Sequence, residues 1–189
     1  MKAFKYLMVF IFLNASIICL AQQESTPSDE VIVHDPVAIK SNGKYYLFCT
    51  GRGIAMFSSE DLEEWKREAP VFSKKPEWTD SVVPNFGNHI WAPDITEFEG
   101  SFYLYYSVSA FAKNTSAIGL AINKTLDVDS PDYKWEDQGI VIESIPNRDL
   151  WNAIDPNLIF DEEGTPWLSF GSFWEGLKLV KLSSDLKAI

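Results

Sequence analysis

Three aspartates recur at nearly equal intervals in this 189-residue chain, Asp35, Asp94 and Asp155, 59 and 61 residues apart, and each has a proline beside it. Carboxylates held apart across a cavity, with aromatic walls and few basic groups, suit hydrolysis of a glycosidic bond. One carboxylate takes a proton from water while a second acidic group gives one to the leaving oxygen. Trp91, Phe111, Phe173 and Trp174 flank the aspartate motifs, and sugar faces present C–H groups that pack on such rings. The competing use of Asp-Pro is turn chemistry, in which the aspartate bonds nearby amides and the proline presets the backbone. The aromatics would then be ordinary core.

The elements that must position these residues repeat with them. Asp35-Pro36-Val37-Ala38-Ile39 is followed by the turn Ser41-Asn42-Gly43 and the strand Lys44 to Phe48. Ala92-Pro93-Asp94-Ile95-Thr96 leads through Glu97 to Gly100 into Ser101 to Tyr106, and Asp155-Pro156 leads through the acidic turn Asp161 to Gly164 into Trp167 to Phe170. Each copy continues into a further apolar strand, at Gly53–Phe57, Ile118–Ile122 and Leu177–Val180, and the second adds Gly139–Ile142. Short alternating strands with turn residues between them, and no useful helical period, predict an all-β chain. A repeat of roughly 60 residues built this way is a propeller blade. Blades are expected at about 33–75, 90–143 and 152–189, the last incomplete. The first strand of each blade lines the central axis, so Asp35, Asp94 and Asp155 are predicted to ring one mouth of the channel. The long connections Ser73 to His89 and Ser144 to Trp151 should lie on that same face.

Residues 1–21 place Lys2 and Lys5 ahead of an apolar run from Tyr6 to Leu20, the pattern of a signal peptide cleaved after Ala21. A membrane span needs about 20 apolar residues, and Asn14 and Ser16 interrupt this run. A lipoprotein signal at Cys19 is a minor alternative, since Ile18 before it is bulky. Residues 22–32 form a polar leader expected to be flexible. Without Lys2 and Lys5 the chain has 14 basic against 27 acidic residues, a net charge of about −13. Such a surface excludes nucleic acid and anionic membrane as partners and leaves neutral polysaccharide open. Cys49 is the only cysteine beyond the signal, so no internal disulfide forms.

His34-Asp35-Pro36, Trp91-Ala92-Pro93-Asp94-Ile95, Tyr105 to Ser109, Asn114 to Gly119, Asn152 to Asn157 and Phe170 to Trp174 together resemble the arabinan endo-1,5-α-L-arabinosidases of glycoside hydrolase family 43. The combination of Asn-Ala-Ile-Asp-Pro with Gly-Ser-Phe-Trp is the specific part, and the likeness runs from about Val33 onward. The resemblance implies a five-bladed β-propeller, of which this chain would hold about two and a half to three blades, and an inverting mechanism. Asp35 matches the general base, and Asp155 matches the aspartate that orients the acid and raises its pKa. Trp91, Phe111, Asn152 and Ser172 match groove-lining positions for a polysaccharide such as arabinan, while Asp94 is carried over as structural.

The family's general acid is a glutamate expected beyond Ile189; Glu175 does not match its motif, and Glu162 and Glu163 sit on a turn at the far end of the inner strand. The chain is therefore read as an N-terminal fragment of a secreted or periplasmic enzyme, inactive by itself. The chemistry requires no cofactor. The family often holds a calcium or other ion in its channel near a histidine that also falls later, so no metal ligand is assigned here, and His34 and His89 are read as hydrogen-bonding supports. An exo-acting arabinofuranosidase, a β-xylosidase of the same family, and a non-catalytic carbohydrate-binding propeller are the alternatives.

Overall fold

The computed structural model describes residues 31–189; the expected signal and nearly all of the leader lie outside the described residues. Three antiparallel sheets follow one another along the chain. Blade one contains β1 (Val37–Ser41), β2 (Lys44–Cys49), β4 (Ala55–Ser59) and β5 (Lys66–Arg67), in that order across the sheet. Blade two contains β6 (His89–Phe98), β7 (Ser101–Ser109), β8 (Ser116–Asn123) and β9 (Glu136–Ser144), with the two-residue β3 (Gly51–Arg52) bridging to it from blade one. Blade three contains β10 (Asn157–Phe160), β11 (Pro166–Phe170) and β12 (Lys178–Lys181). The inner strand β6 lies against both β1 and β10, as inner strands do around a propeller axis. The all-β blade reading holds; the one helix among the described residues is a single turn, α1 (Thr79–Val82), in the first long connection.

Hairpin chemistry sets the register of the first two blades. Asn42 and Gly43 have φ of 51° and 84°, and Glu99 and Gly100 have 49° and 73°. Two successive positive φ values make a two-residue turn whose twist matches the strands, and they place Ser41 opposite Lys44 and Phe98 opposite Ser101.

The core is organised around β7, which is buried along nearly its whole length. Side chains alternate faces along a strand. Phe102, Leu104, Tyr106 and Val108 pack with Tyr46, Phe48, Ile54 and Met56 of blade one, and Tyr103 and Tyr105 pack with Leu168 and Phe170 of blade three. An apolar run without polar alternation is what a strand covered on both faces requires. The connection carrying α1 is pinned to blade two: the Trp78 indole N–H donates to Asp137 Oδ2 at 3.1 Å, the Tyr106 hydroxyl donates to Asp137 Oδ1 at 2.6 Å, and the two rings stack. Gly119 beneath them is obligatory, since a Cβ there would lie 2.5 Å from the Tyr106 ring.

Candidate active site

One backbone irregularity recurs at the mouth of each blade. In blade two the pairing runs Asp94 opposite Tyr105, then slips by one residue so that Trp91 faces Ser107. The same slip separates Val37 opposite Phe48 from the hydrogen bond of Thr50 N–H to His34 O, and Asn157 opposite Ser169 from that of Gly171 N–H to Ile154 O. The extra residue is Asp35, Ala92 or Asp155, with φ of 50°, 37° and 55°. Each precedes a proline, Pro36, Pro93 or Pro156, where extended backbone is the rule. A left-handed residue at that place is strained and is held by the pairing around it; a bulge of this kind turns the side chain out of the strand's alternation.

This register corrects the expected ring of three aspartates. The counterpart of Asp35 and Asp155 in blade two is Ala92, and Asp94 corresponds to Val37 and Asn157. Asp94 serves the blade interface instead: its Oδ2 accepts the Leu158 N–H at 2.7 Å, and burial pushes its pKa up against that hydrogen bond.

The mouth opens into a cleft of about 980 Å³, and all six residues singled out from the sequence, Asp35, Trp91, Phe111, Asn152, Asp155 and Ser172, line it. Asp35 and Asp155 are its only acidic side chains among the described residues, and no glutamate reaches it. Asp35 Oδ2 accepts the Thr50 hydroxyl at 2.7 Å, and His34 Nδ1 lies 2.6 Å from the same oxygen. Asp155 is exposed to the cleft, yet the protein packed around its carboxyl, and then the Asp35 charge, push its pKa up, with His34 offsetting part of the rise.

Asn152 is buried, and its Oδ1 accepts the Ser116 hydroxyl at 2.6 Å, while that hydroxyl accepts the Ala153 N–H at 2.9 Å. The Ser116 proton is thereby committed to the amide oxygen, which leaves the Asn152 NH₂ as the group turned to the cleft. Phe111 and Phe173 stand on the rim, 90% and 80% exposed. Phe173 and Trp174 follow one another with left-handed φ of 59° and 44°, in a loop tied to the second long connection by Glu175 N–H donating to Leu150 O. Aromatic faces held open to water in this way suit stacking on sugar rings. Thr50, His89 and Lys113 also line the cleft. Thr50 was not legible as a site residue, although a hydroxyl recurs at its place in blade two, as Ser107.

No group of three or more His, Cys, Asp or Glu among the described residues is placed to hold a metal ion. The residues present do not make up the channel ion site that the resemblance implies.

The model of the glycosyl hydrolases family 43 matches residues 27–189. The chain belongs to that family. It is 55% identical over 181 residues to an extracellular exo-α-(1→5)-L-arabinofuranosidase of Cellvibrio japonicus, covering 96% of this chain and 50% of the relative. It is 44% identical to an extracellular endo-α-(1→5)-L-arabinanase of Bacillus subtilis, covering 82% and 47%. Among solved structures it superposes on a Cellvibrio cellulosa α-L-arabinanase complexed with arabinohexaose with a TM-score of 0.82 and 57% identity, over 84% of this chain and 50% of that one. The chain spans about half the length of the curated relatives it matches.

Proposed function

We propose that the protein is a secreted hydrolase of α-1,5-linked L-arabinan that inverts configuration at the bond it cleaves. Asp35 is the general base and Asp155 the carboxylate that orients the acid and keeps it protonated; the acid itself is a glutamate outside these 189 residues. The observation that carries the reading is the placement of two carboxylates, and no third, on one left-handed bulge in blades one and three, facing a cleft rimmed with open aromatics. Asp35 accepts the Thr50 hydroxyl, with the His34 ring beside the same oxygen, and can take a proton from water, whereas Asp155 is pushed toward its neutral form by burial and by Asp35. The contrast separates the two carboxylates into different roles. Trp91 and Phe111 stack on the substrate, and Asn152 and Ser172 hydrogen-bond to its hydroxyls.

Exo attack is the second reading. The 55% identical Cellvibrio relative is named as exo-acting, as is a 52% identical ruminal arabinanase structure, while a Bacillus licheniformis structure at 44% is named as endo-acting. This gradient favours release of short products from a chain end. The test is digestion of debranched arabinan by the protein expressed from the complete source gene, with products followed over time. One short product from the outset supports exo attack, a ladder of oligosaccharides supports endo attack, and no cleavage with retained binding overturns the hydrolase reading for a carbohydrate-binding propeller.

A further inference from the structure

We propose that Thr50 is the positioning residue of Asp35: it holds Oδ2 and thereby selects Oδ1 as the oxygen that faces the attacking water. The inference rests on the reading of Asp35 as the base. A hydroxyl has one proton to give and two lone pairs to receive. Thr50 Oγ1 receives the Ala92 N–H at 2.8 Å, so its proton is free to go to Asp35 Oδ2 at 2.7 Å. The side chain is β-branched and stiff about its first torsion, and it follows directly on β2. His34 Nδ1 lies 2.6 Å from the same oxygen, on a ring that is 81% exposed. Both neighbours sit at Oδ2, which leaves Oδ1 free of them.

The same hydroxyl ties two blades together. Ala92 is the mouth residue of blade two, next to Trp91 on the cleft wall, so Thr50 sets the base relative to that aromatic wall. Ser107, the counterpart of Thr50 in blade two, accepts the Asp155 N–H at 3.0 Å. In blades one and two a hydroxyl therefore grips the mouth residue of the next blade, and only in blade one does it also find a carboxylate of its own. Blade three has Gly171 at this place, where a Cβ would lie 2.6 Å from Gly176 O.

The experiment compares Thr50→Val, Thr50→Ser and the unaltered protein, all expressed from the complete source gene, by steady-state kinetics on linear arabino-oligosaccharides. Thr50→Val is expected to lower kcat on the order of tenfold, the loss of one hydrogen bond to a charged group, with KM within about twofold. Thr50→Ser, which keeps the hydroxyl, restores kcat. An unchanged kcat in Thr50→Val, a KM that rises as much as kcat falls, or a serine variant as impaired as the valine one, overturns the proposal. If the valine variant does not fold, Thr50→Cys, of similar size and a weak donor, carries the same comparison. Should the unaltered protein not cleave arabinan, the functional reading fails by itself. The Thr50 inference is then decided by crystal structures of the unaltered protein and Thr50→Val, and is overturned if the Asp35 carboxyl keeps its orientation in the valine variant.

Discussion

The mouths of blades one and two share a backbone and differ in one side chain. Asp35 and Ala92 both sit at left-handed φ before a proline, and Thr50 hydrogen-bonds to both of them. Asp35 is open to the cleft and carries a carboxylate, whereas Ala92 is a buried methyl. Had the strained conformation existed only for catalysis, blade two would have no reason to keep it. Its recurrence there places it in the scaffold, where it closes inner strands around the axis, and leaves the chemistry to whichever residue occupies the bulge. Function is thus grafted onto a repeated local geometry.

The largest effect that tests this division is at Asp35. Asp35→Asn keeps the shape and the bulge, so arabino-oligosaccharide binding by calorimetry should stay measurable while turnover falls by about 10²–10⁴-fold, the range for a lost general base. The same substitution removes a negative charge that pushes the Asp155 pKa up, so the Asp155 titration in NMR should move down. Retained turnover would make Asp35 an ordinary turn residue like its counterpart in blade two.

Ser107→Ala comes next and separates scaffold from chemistry in the other direction. The Asp155 N–H loses its acceptor, and an unpaired donor in this part-buried position costs at most about 1–3 kcal/mol, to be read from urea unfolding. Turnover should fall much less than in Asp35→Asn, because Ser107 touches no part of the Asp35 carboxylate. A loss of turnover as large as that of Asp35→Asn would mean that the two hydroxyls act as one unit.

Asp94→Asn has a smaller effect and a sign that depends on pH. Asparagine keeps an oxygen for the Leu158 N–H; the cost of a buried charge is removed together with the second acceptor oxygen, since Asn157 and the Ile95 N–H also donate to the carboxylate. The folded-state pKa of Asp94 is raised by burial, so its contribution is fully present below the unfolded carboxylate value and is lost as pH rises through the folded one. Stability of Asp94→Asn relative to the unaltered protein should therefore improve on going from about pH 4, near the ordinary aspartate value, toward neutrality. A constant difference in denaturation midpoints across that window would show that Asp94 stays ionised at no cost.

The elements were legible where local chemistry alone decides them. Asn42-Gly43 marks its hairpin, and the aromatic run from Phe102 to Tyr106 marks the strand β7. The register of the repeat was misread in blade two because Asp94 has the side chain expected of a mouth residue, whereas the prolines at 36, 93 and 156 hold the true register through their backbone. Spacing pointed to Asp35 and Asp155 as a pair. Trp91 and Phe111 stand out in the sequence only as aromatics beside the motifs; their place in the groove, like that of Asn152 and Ser172, comes from the resemblance, since no periodicity distinguishes a rim aromatic from a core one. Thr50 had no sequence signature because its role depends on two partners, one of them 42 residues away. The single turn α1 was equally silent: it is held from outside, by Trp78 on Asp137 and by the Thr79 hydroxyl on Pro76 O.

The smallest effect tests the strain itself. Ala92→Gly loses a buried methyl, about 0.8 kcal/mol, and adds backbone entropy to the unfolded chain, roughly 0.5–1 kcal/mol. Against these, glycine relieves a left-handed alanine, which costs about 1–2 kcal/mol, so the net change should lie within about 0.5 kcal/mol of zero. Ala121 on β8 is fully buried and has no positive φ. Ala121→Gly therefore has only the two losses and should destabilise by about 1–2 kcal/mol. Unfolding both variants in urea isolates the strain as the gap between them. If Ala92→Gly costs as much as Ala121→Gly, the bulge carries no strain in blade two. A gap of the expected size instead shows that the mouth geometry is maintained at a cost even where no carboxylate occupies it.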